Sequence, residues 1–145
     1  KKDLLYDCEA FIATDSYFYL FTKNRSKGFD GSFLVYKVPN KPGEFKAEKI
    51  AELNSGNSYE NAAITGAAYN SESKTIAITT HSKVLLIPFK DDSSFNQENI
   101  KSLEYNHVSQ KEAITFKDNK TLYIADEKEK KDDVGGNIYV FKLPN

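Results

Sequence analysis

The sequence contains one cysteine, no methionine and no tryptophan, and it has almost no net charge. The single thiol, Cys8, excludes an intrachain disulfide and any metal site built from several thiolates. We expect it to act as a small buried hydrophobe. Twenty basic and 21 acidic side chains leave a formal charge of −1, so no overall field attracts nucleic acid or an anionic membrane surface.

Long apolar runs are also absent. The longest, such as residues 84–87, are far shorter than the ~20 residues that a membrane-spanning helix needs, so no membrane span is expected. No charged-then-apolar leader stands at the start of the sequence. Because no methionine is present even at position 1, we expect that Lys1 is not a translation start and that a segment upstream of it has been removed.

The apolar part of the sequence is concentrated in aromatic rings. Only 39% of the residues are hydrophobic, but nine Tyr and ten Phe raise the aromatic share to 13%. Aromatic residues favour strands, and a length of 145 residues is that of one domain with one core. Helical periodicity is nowhere sustained over the ~11 residues that would indicate a helix. The composition therefore predicts an all-β fold.

A repeat divides the chain into three units. Residues 7–13 resemble residues 110–116, each with a Glu-Ala pair before an apolar run, and residues 33–40 resemble residues 138–145. A weaker middle copy covers residues 64–89. Turn-forming residues separate the short β-rich runs within each unit. Repetition of β-rich units at this spacing is the sequence signature of a propeller or a similar array.

Each unit has the size of one blade of a β-propeller, which is a sheet of four antiparallel strands. Fourth strands are expected at residues 45–53 and 100–105, whereas the third unit ends after three strands. Residues 1–6 are expected to form an outer strand of a neighbouring blade or of the last one. The predicted fold is a β-propeller fragment of about three blades, half of a six-bladed propeller, with blades at about 7–55, 62–106 and 110–145.

Four short motifs occur in a fixed order: D-C-E-A at 7–10, L-F-T-K-N at 20–24, I-T-G-A at 64–67 and E-A-I at 112–114. In this order they resemble a family of exported bacterial six-bladed β-propeller proteins of unknown function. The resemblance implies that this chain corresponds to the C-terminal three blades. It also implies an extracytoplasmic location and, as a partner, the upstream half of the propeller. The D-W-E motif and G-D-x-G-N-N loop of the family's first half do not occur here.

Acidic residues recur at equivalent positions of the repeat and are the first candidate site residues. Asp7 and Glu9 begin the first unit, Glu112 begins the third, and Asp126 and Glu127 end a strand of the third. Residues that begin a blade commonly approach the central channel, where Glu9, Glu112, Asp126 and Glu127 would offer the oxygen ligands that calcium takes. Such a site would raise the melting temperature in calcium. Alternatively, each Glu accepts hydrogen bonds from backbone N–H groups of the neighbouring blade. We expect Glu9 and Glu112 to be structurally equivalent.

Polar residues that follow apolar strands are further candidates for lining the channel or binding a ligand. Lys23, Asn24 and Arg25 form a cluster that would bind a carboxylate or a phosphate at a loop mouth, unless they form only a solvated loop. His81 ends a strand of the middle unit, at the level of Asn24 and Glu127. No P-loop, nucleophile elbow or zinc-binding spacing is present. No candidate catalytic residue emerges from these patterns.

We therefore expect an extracytoplasmic binding or scaffold module without catalysis of its own. The alternative is part of a calcium-dependent phosphohydrolase of the phytase-like propeller kind, in which carboxylates hold metal ions and several basic side chains hold phosphate. A purely structural interaction domain is a further alternative. Because three blades leave a ring open, we expect a partner: either the upstream half of the propeller or a second copy of the chain in a two-fold dimer.

Overall fold

A computed structural model describes residues 4–131 and 133–144, and within them the chain forms three antiparallel sheets in sequence order. The first sheet contains β1 (Asp7–Ala13), β2 (Tyr17–Lys23), β3 (Ser32–Pro39) and β4 (Glu48–Asn54). The second contains β5 (Gly66–Asn70), β6 (Thr75–Thr79), β7 (Lys83–Pro88) and β8 (Lys101–Glu104). The third contains β9 (Lys111–Asp118), β10 (Thr121–Asp126) and β11 (Ile138–Lys142).

Each sheet is a meander, since every strand pairs with the next strand along the chain. A short helix, α1 (Tyr59–Ala62), and two 3₁₀ turns (Asp92–Ser94 and Gln97–Asn99) connect the strands. The all-β class is confirmed, as are the fourth strands of the first two units. Within the described residues the third sheet has three strands, as expected.

The segment before β1 differs from the expectation. Residues 5 and 6 form a turn and none of residues 4–6 lies in a strand, and the Leu4 carbonyl accepts a hydrogen bond from the Arg25 N–H at 3.1 Å. Residues 1–3 lie outside the described residues. A role of the segment as an outer strand of a neighbouring sheet stays a prediction.

The second sheet is buried on both of its faces. Ile76, Ile78 and Ile87 pack against the first sheet, in a cluster that also contains Phe21 and Val35. The residues alternating with them, Ala77, Val84 and Leu86, pack against Ile114, Leu122 and Ile124 of the third sheet. A strand buried on both sides is apolar without alternation, which accounts for the continuous apolar sequences of β6 and β7. The three sheets are therefore layered face to face in chain order.

The interface between the first two sheets is aromatic with a polar margin. The ring of Tyr19 contacts those of Phe89 and Phe95, with centroids 5.3 Å and 5.2 Å apart. Its hydroxyl donates a hydrogen bond to Asp92 at 2.9 Å, and the same carboxylate forms an ion pair with Lys37. The loop between β7 and β8 thus reaches back to the preceding sheet and fixes its distance from the second sheet.

Tyr105 has the corresponding role between the second and third sheets. Its ring meets that of Phe141 edge to face, with centroids 5.2 Å apart. Its hydroxyl lies 2.9 Å from that of Thr79, and both side chains are buried. Burial raises the pKa of Tyr105 above its usual value of 10.0.

The first and third sheets bury opposite faces, because each turns toward the second. In β1, Ala10 and Ile12 are buried while Phe11 is 58% exposed. In β11, Tyr139 and Phe141 pack inward, whereas Ile138 is 74% exposed and Val140 60%. Each end of the stack therefore presents apolar side chains to solvent.

The prediction of a buried Cys8 is wrong: the residue is exposed. The pairing of β1 with β2 shifts register between Cys8 and Ala10. Cys8 pairs with Thr22 and Ala10 with Phe21, so the two side chains lie on opposite faces of the sheet. A single-sequence pattern contains no sign of that shift.

We predict that alkaline pH destabilises the protein through its buried tyrosines. A Tyr with a raised pKa in the folded state contributes stability that is complete below its unfolded pKa of about 10. Above that unfolded pKa, the free energy of unfolding falls by at most about 1.4 kcal/mol per pH unit for one such group. Urea unfolding at pH 9 and pH 11 measures this loss.

Tyr105→Phe should reduce the loss, while costing about 1 kcal/mol at pH 9 through the contact with Thr79. Tyr123→Phe, on the outer face of the third sheet, is the control. An equal alkaline loss in Tyr105→Phe and the native protein would contradict the assignment.

Candidate functional site

A polar cleft of about 660 Å³ lies where one end of each sheet converges. Six of the residues expected from the sequence line it: Glu9, Lys23, Arg25, His81, Glu112 and Glu127. Tyr59 and Glu60 of α1 and the segment 108–110 complete much of the wall. The sequence therefore located half of the residues that line this cleft but missed the contributions of the connections between sheets.

The repeat explains why these residues meet. In an antiparallel meander, the start of the first strand and the end of the second lie at the same edge of the sheet. The register between β1 and β2 shifts at Glu9, and the register between β9 and β10 shifts at Glu112. Such bulges re-aim side chains at the end of a ladder. Glu9 has the same place in the pairing of β1 with β2 as Glu112 has in the pairing of β9 with β10. This confirms that the two residues are equivalent.

The two fixed cations in the cleft are both paired. The Lys23 ammonium lies 2.5 Å from the Glu9 carboxylate, and the Lys23 side chain is only 7% exposed. Arg25 Nη1 lies 3.1 Å from Asp7 Oδ2, which makes the two side chains an ion pair. Within the described residues, the geometry does not give Asp7 Oδ2 a hydrogen bond. Arg25 also donates to the Tyr59 hydroxyl at 3.3 Å, and this bond raises the pKa of the guanidinium. Asp7 thus acts through Arg25 and does not line the cleft.

His81 faces Glu112 across the junction of the second and third sheets. Its Nε2 is buried, has no hydrogen-bond partner among residues 4–131 and 133–144, and lies 3.6 Å from Glu112 Oε1. That separation is too long for a hydrogen bond. The His81 carbonyl accepts a hydrogen bond from the Lys111 ammonium at 2.9 Å, which fixes the backbone at this point.

Lys111 is a buried residue that the sequence analysis missed. It has no exposed surface, and its ammonium donates to Ser109 Oγ at 2.8 Å as well as to the His81 carbonyl. The ammonium also lies over the rings of Tyr105 and Tyr139, 4.9 Å and 5.5 Å from their centroids. Burial lowers the pKa of Lys111. Lysines are rarely buried without partners, and no sequence signal distinguished this one from the exposed majority.

Two other candidates have local structural roles outside the cleft. The buried Asn24 side chain donates to the Ser32 carbonyl at 3.2 Å and accepts from the Ser26 N–H at 3.0 Å, so it holds the connection between β2 and β3. Asp126 accepts hydrogen bonds from the Asn137 N–H and the Tyr139 hydroxyl, both at 2.7 Å. Burial acts to raise the pKa of Asp126, but these bonds outweigh it and the pKa is lowered.

The four carboxylates expected to hold calcium do not form one cluster. Glu9, Glu112 and Glu127 line the cleft, but Asp126 does not. Across residues 4–131 and 133–144, no group of three or more His, Cys, Asp or Glu side chains is arranged to hold a metal ion. The backbone alternative is also not seen within the described residues: Glu9 forms an ion pair with Lys23, and Glu112 faces the His81 ring at 3.6 Å.

The cleft is acidic. Five carboxylates line it, from Glu9, Glu60, Glu112, Glu127 and Glu129, against two fixed cations. In the part of the chain that the structure describes, Glu60 and Glu127 have no ion-pair partner. The lining of the cleft therefore carries an excess of negative charge.

Comparison of the sequence with protein-family models finds no match, and comparison with curated proteins finds no similar sequence. The resemblance to six-bladed propellers therefore stays an expectation. In the described residues, no helix has both the length and the hydrophobicity needed to cross a bilayer.

We predict that Asp126→Asn lowers the free energy of unfolding by about 1–3 kcal/mol at pH 7, because the charged acceptor of two hydrogen bonds is lost. An Asp with a lowered folded pKa stabilises above its unfolded pKa of 3.8, and this contribution disappears as the pH falls through the folded pKa. The difference between variant and native protein should accordingly shrink at pH 3. Urea unfolding at the two pH values tests this, with the exposed Glu72→Gln as control. A difference that does not change with pH would rule out the charge as its source.

Proposed function

We propose that this chain is a binding module, built as three blades of a β-propeller, whose acidic cleft binds a cationic ligand such as a polyamine or the basic side chains of a peptide. The observation that carries the proposal is the excess of carboxylates in the cleft, where Glu60 and Glu127 have no ion-pair partner in the described residues. The proposed role is binding, and it does not include catalysis.

Three features of the sheets support a propeller arrangement. The sheets are meanders layered in chain order, which is how blades follow one another. The middle sheet is buried on both faces, as a blade between two neighbours is. Equivalent residues near the starts of β1 and β9, Glu9 and Glu112, line one shared cleft, as residues at the channel end of the blades of one ring do.

Phosphate is a less suitable ligand than a cation. Phosphohydrolysis on a propeller needs converging metal ions and free basic side chains. Lys23 and Arg25, the fixed cations of the cleft, are each paired with a carboxylate, and the expected calcium ligands are not clustered. A phosphate group would have to displace Glu9 from Lys23 or Asp7 from Arg25 before it gained a cation.

An extracytoplasmic location is part of the proposal and rests on the resemblance to exported propellers. The composition is compatible with it, since the only thiol, Cys8, does not depend on a reducing environment to avoid mispairing within the chain. Ligands of the proposed class, polyamines and basic peptides, are found on both sides of a membrane, so the location does not bear on the chemistry.

Calorimetric titration at low ionic strength tests the ligand class with three probes: spermidine, calcium chloride and inositol hexakisphosphate. Spermidine should bind, and added salt should weaken it because the attraction is electrostatic. Glu112→Gln combined with Glu127→Gln should weaken binding by roughly five-fold or more. Glu72→Gln removes one charge from the turn between β5 and β6, outside the cleft, and should leave binding unchanged.

Each probe has an outcome that contradicts the proposal. Binding of inositol hexakisphosphate but not of spermidine would favour the phosphohydrolase alternative. Calcium binding that Glu112→Gln removes would restore the metal-site interpretation. Equal loss of spermidine binding in the control variant would show that the attraction is not located in the cleft.

A further inference from the structure

One ring nitrogen of His81 is a buried polar atom without a partner, which is rare in folded proteins. Among residues 4–131 and 133–144, it is one of two buried side-chain atoms that lack a hydrogen bond, and the other, Asp7 Oδ2, is in an ion pair with Arg25. The carboxylate oxygen that His81 Nε2 faces is Glu112 Oε1, 3.6 Å away. A small movement of either side chain would therefore bring the ring and the carboxylate into hydrogen-bond distance.

The backbone around His81 holds the ring at this place. His81 lies in the connection between β6 and β7, and its carbonyl accepts hydrogen bonds from the Lys111 ammonium at 2.9 Å and from the Ser109 N–H at 3.3 Å. Both donors belong to the segment that leads into or begins β9, the strand that carries Glu112. These bonds join the two sheets at the point where His81 and Glu112 face each other.

The groups around this pair are mostly acidic. Glu112 is the titratable side chain that His81 faces directly, and its side chain is 37% exposed, whereas that of His81 is 15% exposed. Lys111 is the cation beneath the pair. The remaining charged side chains of the cleft come from β1, from the end of β2 and the loop after it, from α1 and from the loop after β10: Glu9, Lys23, Arg25, Glu60, Glu127 and Glu129.

The charge of the imidazole decides whether the contact with Glu112 is favourable. A neutral ring either turns the Nε2 lone pair toward the carboxylate or holds an Nε2–H that is too distant to donate to it. An imidazolium carries a proton on both nitrogens and is attracted by the carboxylate, and an approach of less than about 1 Å gives a charge-assisted hydrogen bond. Histidine ordinarily changes charge between about pH 5 and pH 8, above the interval in which carboxyl groups ordinarily titrate.

We propose that His81 is a pH-sensitive switch of the acidic cleft: when protonated, it pairs with Glu112 and weakens the binding of a cationic ligand. Five carboxylates against two fixed cations leave an excess of three negative charges on the lining, and an imidazolium at His81 reduces this excess to two. The pairing also turns the Glu112 carboxylate toward the ring and away from a ligand. Because linkage is reciprocal, a bound cation disfavours protonation of His81 by the same factor. The inference rests on the proposed function for its ligand class.

Titration calorimetry at pH 7.5 and pH 5.5 tests the switch. The probe is a tri-arginine peptide, acetylated at its N-terminus and amidated at its C-terminus, because guanidinium groups keep their charge at both pH values. The native protein should bind it about five-fold or more weakly at pH 5.5. His81→Gln retains a polar side chain that does not titrate and should bind the peptide with nearly equal affinity at the two pH values.

His107→Gln is the matched control. The His107 ring packs on that of Tyr139, with centroids 4.8 Å apart, and does not line the cleft, so this variant should keep the pH dependence of the native protein. NMR of the histidine rings in the native protein is a second readout that needs no substitution. Saturating peptide should shift the protonation of His81 to lower pH, and that of His107 less.

The outcomes separate the switch from the proposed function. Equal native affinity at pH 7.5 and pH 5.5, or the native pH dependence in His81→Gln, would overturn the switch and leave the proposed function standing. Loss of the pH dependence in His107→Gln but not in His81→Gln would assign it to the wrong ring. Absence of peptide binding at both pH values would contradict the proposed function, and the switch with it.

Discussion

The second sheet has no face to turn toward water, and the arrangement of the molecule follows from this constraint. Ile76, Ala77 and Ile78 are consecutive, alternate in direction and are fully buried, so one sheet is needed on each side of β6. The first sheet supplies the cover on one side and the third on the other. Because dispersion and apolar burial are roughly proportional to contact area, removal of either outer sheet would expose half of the core of the second.

The same constraint decides which face each outer sheet buries, and hence what remains outside. The Glu-Ala repeat makes β1 and β9 equivalent in sequence, yet Ala10 is buried in β1 while the equivalent Ala113 is exposed. The difference arises because the two strands turn opposite faces to the middle sheet. A repeat with both faces apolar is suited to an array in which every unit has two neighbours.

The sequence was sufficient for the strands and for half of the residues that line the cleft, for reasons that can be named. Short apolar runs between turn residues gave the fourth strands, and the recurrence of a Glu before an apolar strand gave the equivalence of Glu9 and Glu112. It was insufficient where tertiary contacts decide. Nothing local distinguishes Lys111, which is buried beneath two tyrosine rings, from exposed lysines. The exposure of Cys8 depends on a register shift, and the place of Tyr59 in the cleft depends on how α1 packs.

The distribution of charge in the cleft follows from the convergence of strand ends from the three sheets. Folding brings Glu9 of the first sheet into one cleft with Glu112 and Glu127 of the third, and an excess of like charge there costs free energy unless cations or a ligand offset it. Lys23 offsets Glu9 from within its own sheet, and Lys111 contributes positive charge from beneath the cleft. Neither reaches Glu60 or Glu127 as an ion-pair partner. The stack of sheets thus fixes the positions of negative charges that it does not itself neutralise, and a bound cation would relieve a repulsion that the fold imposes.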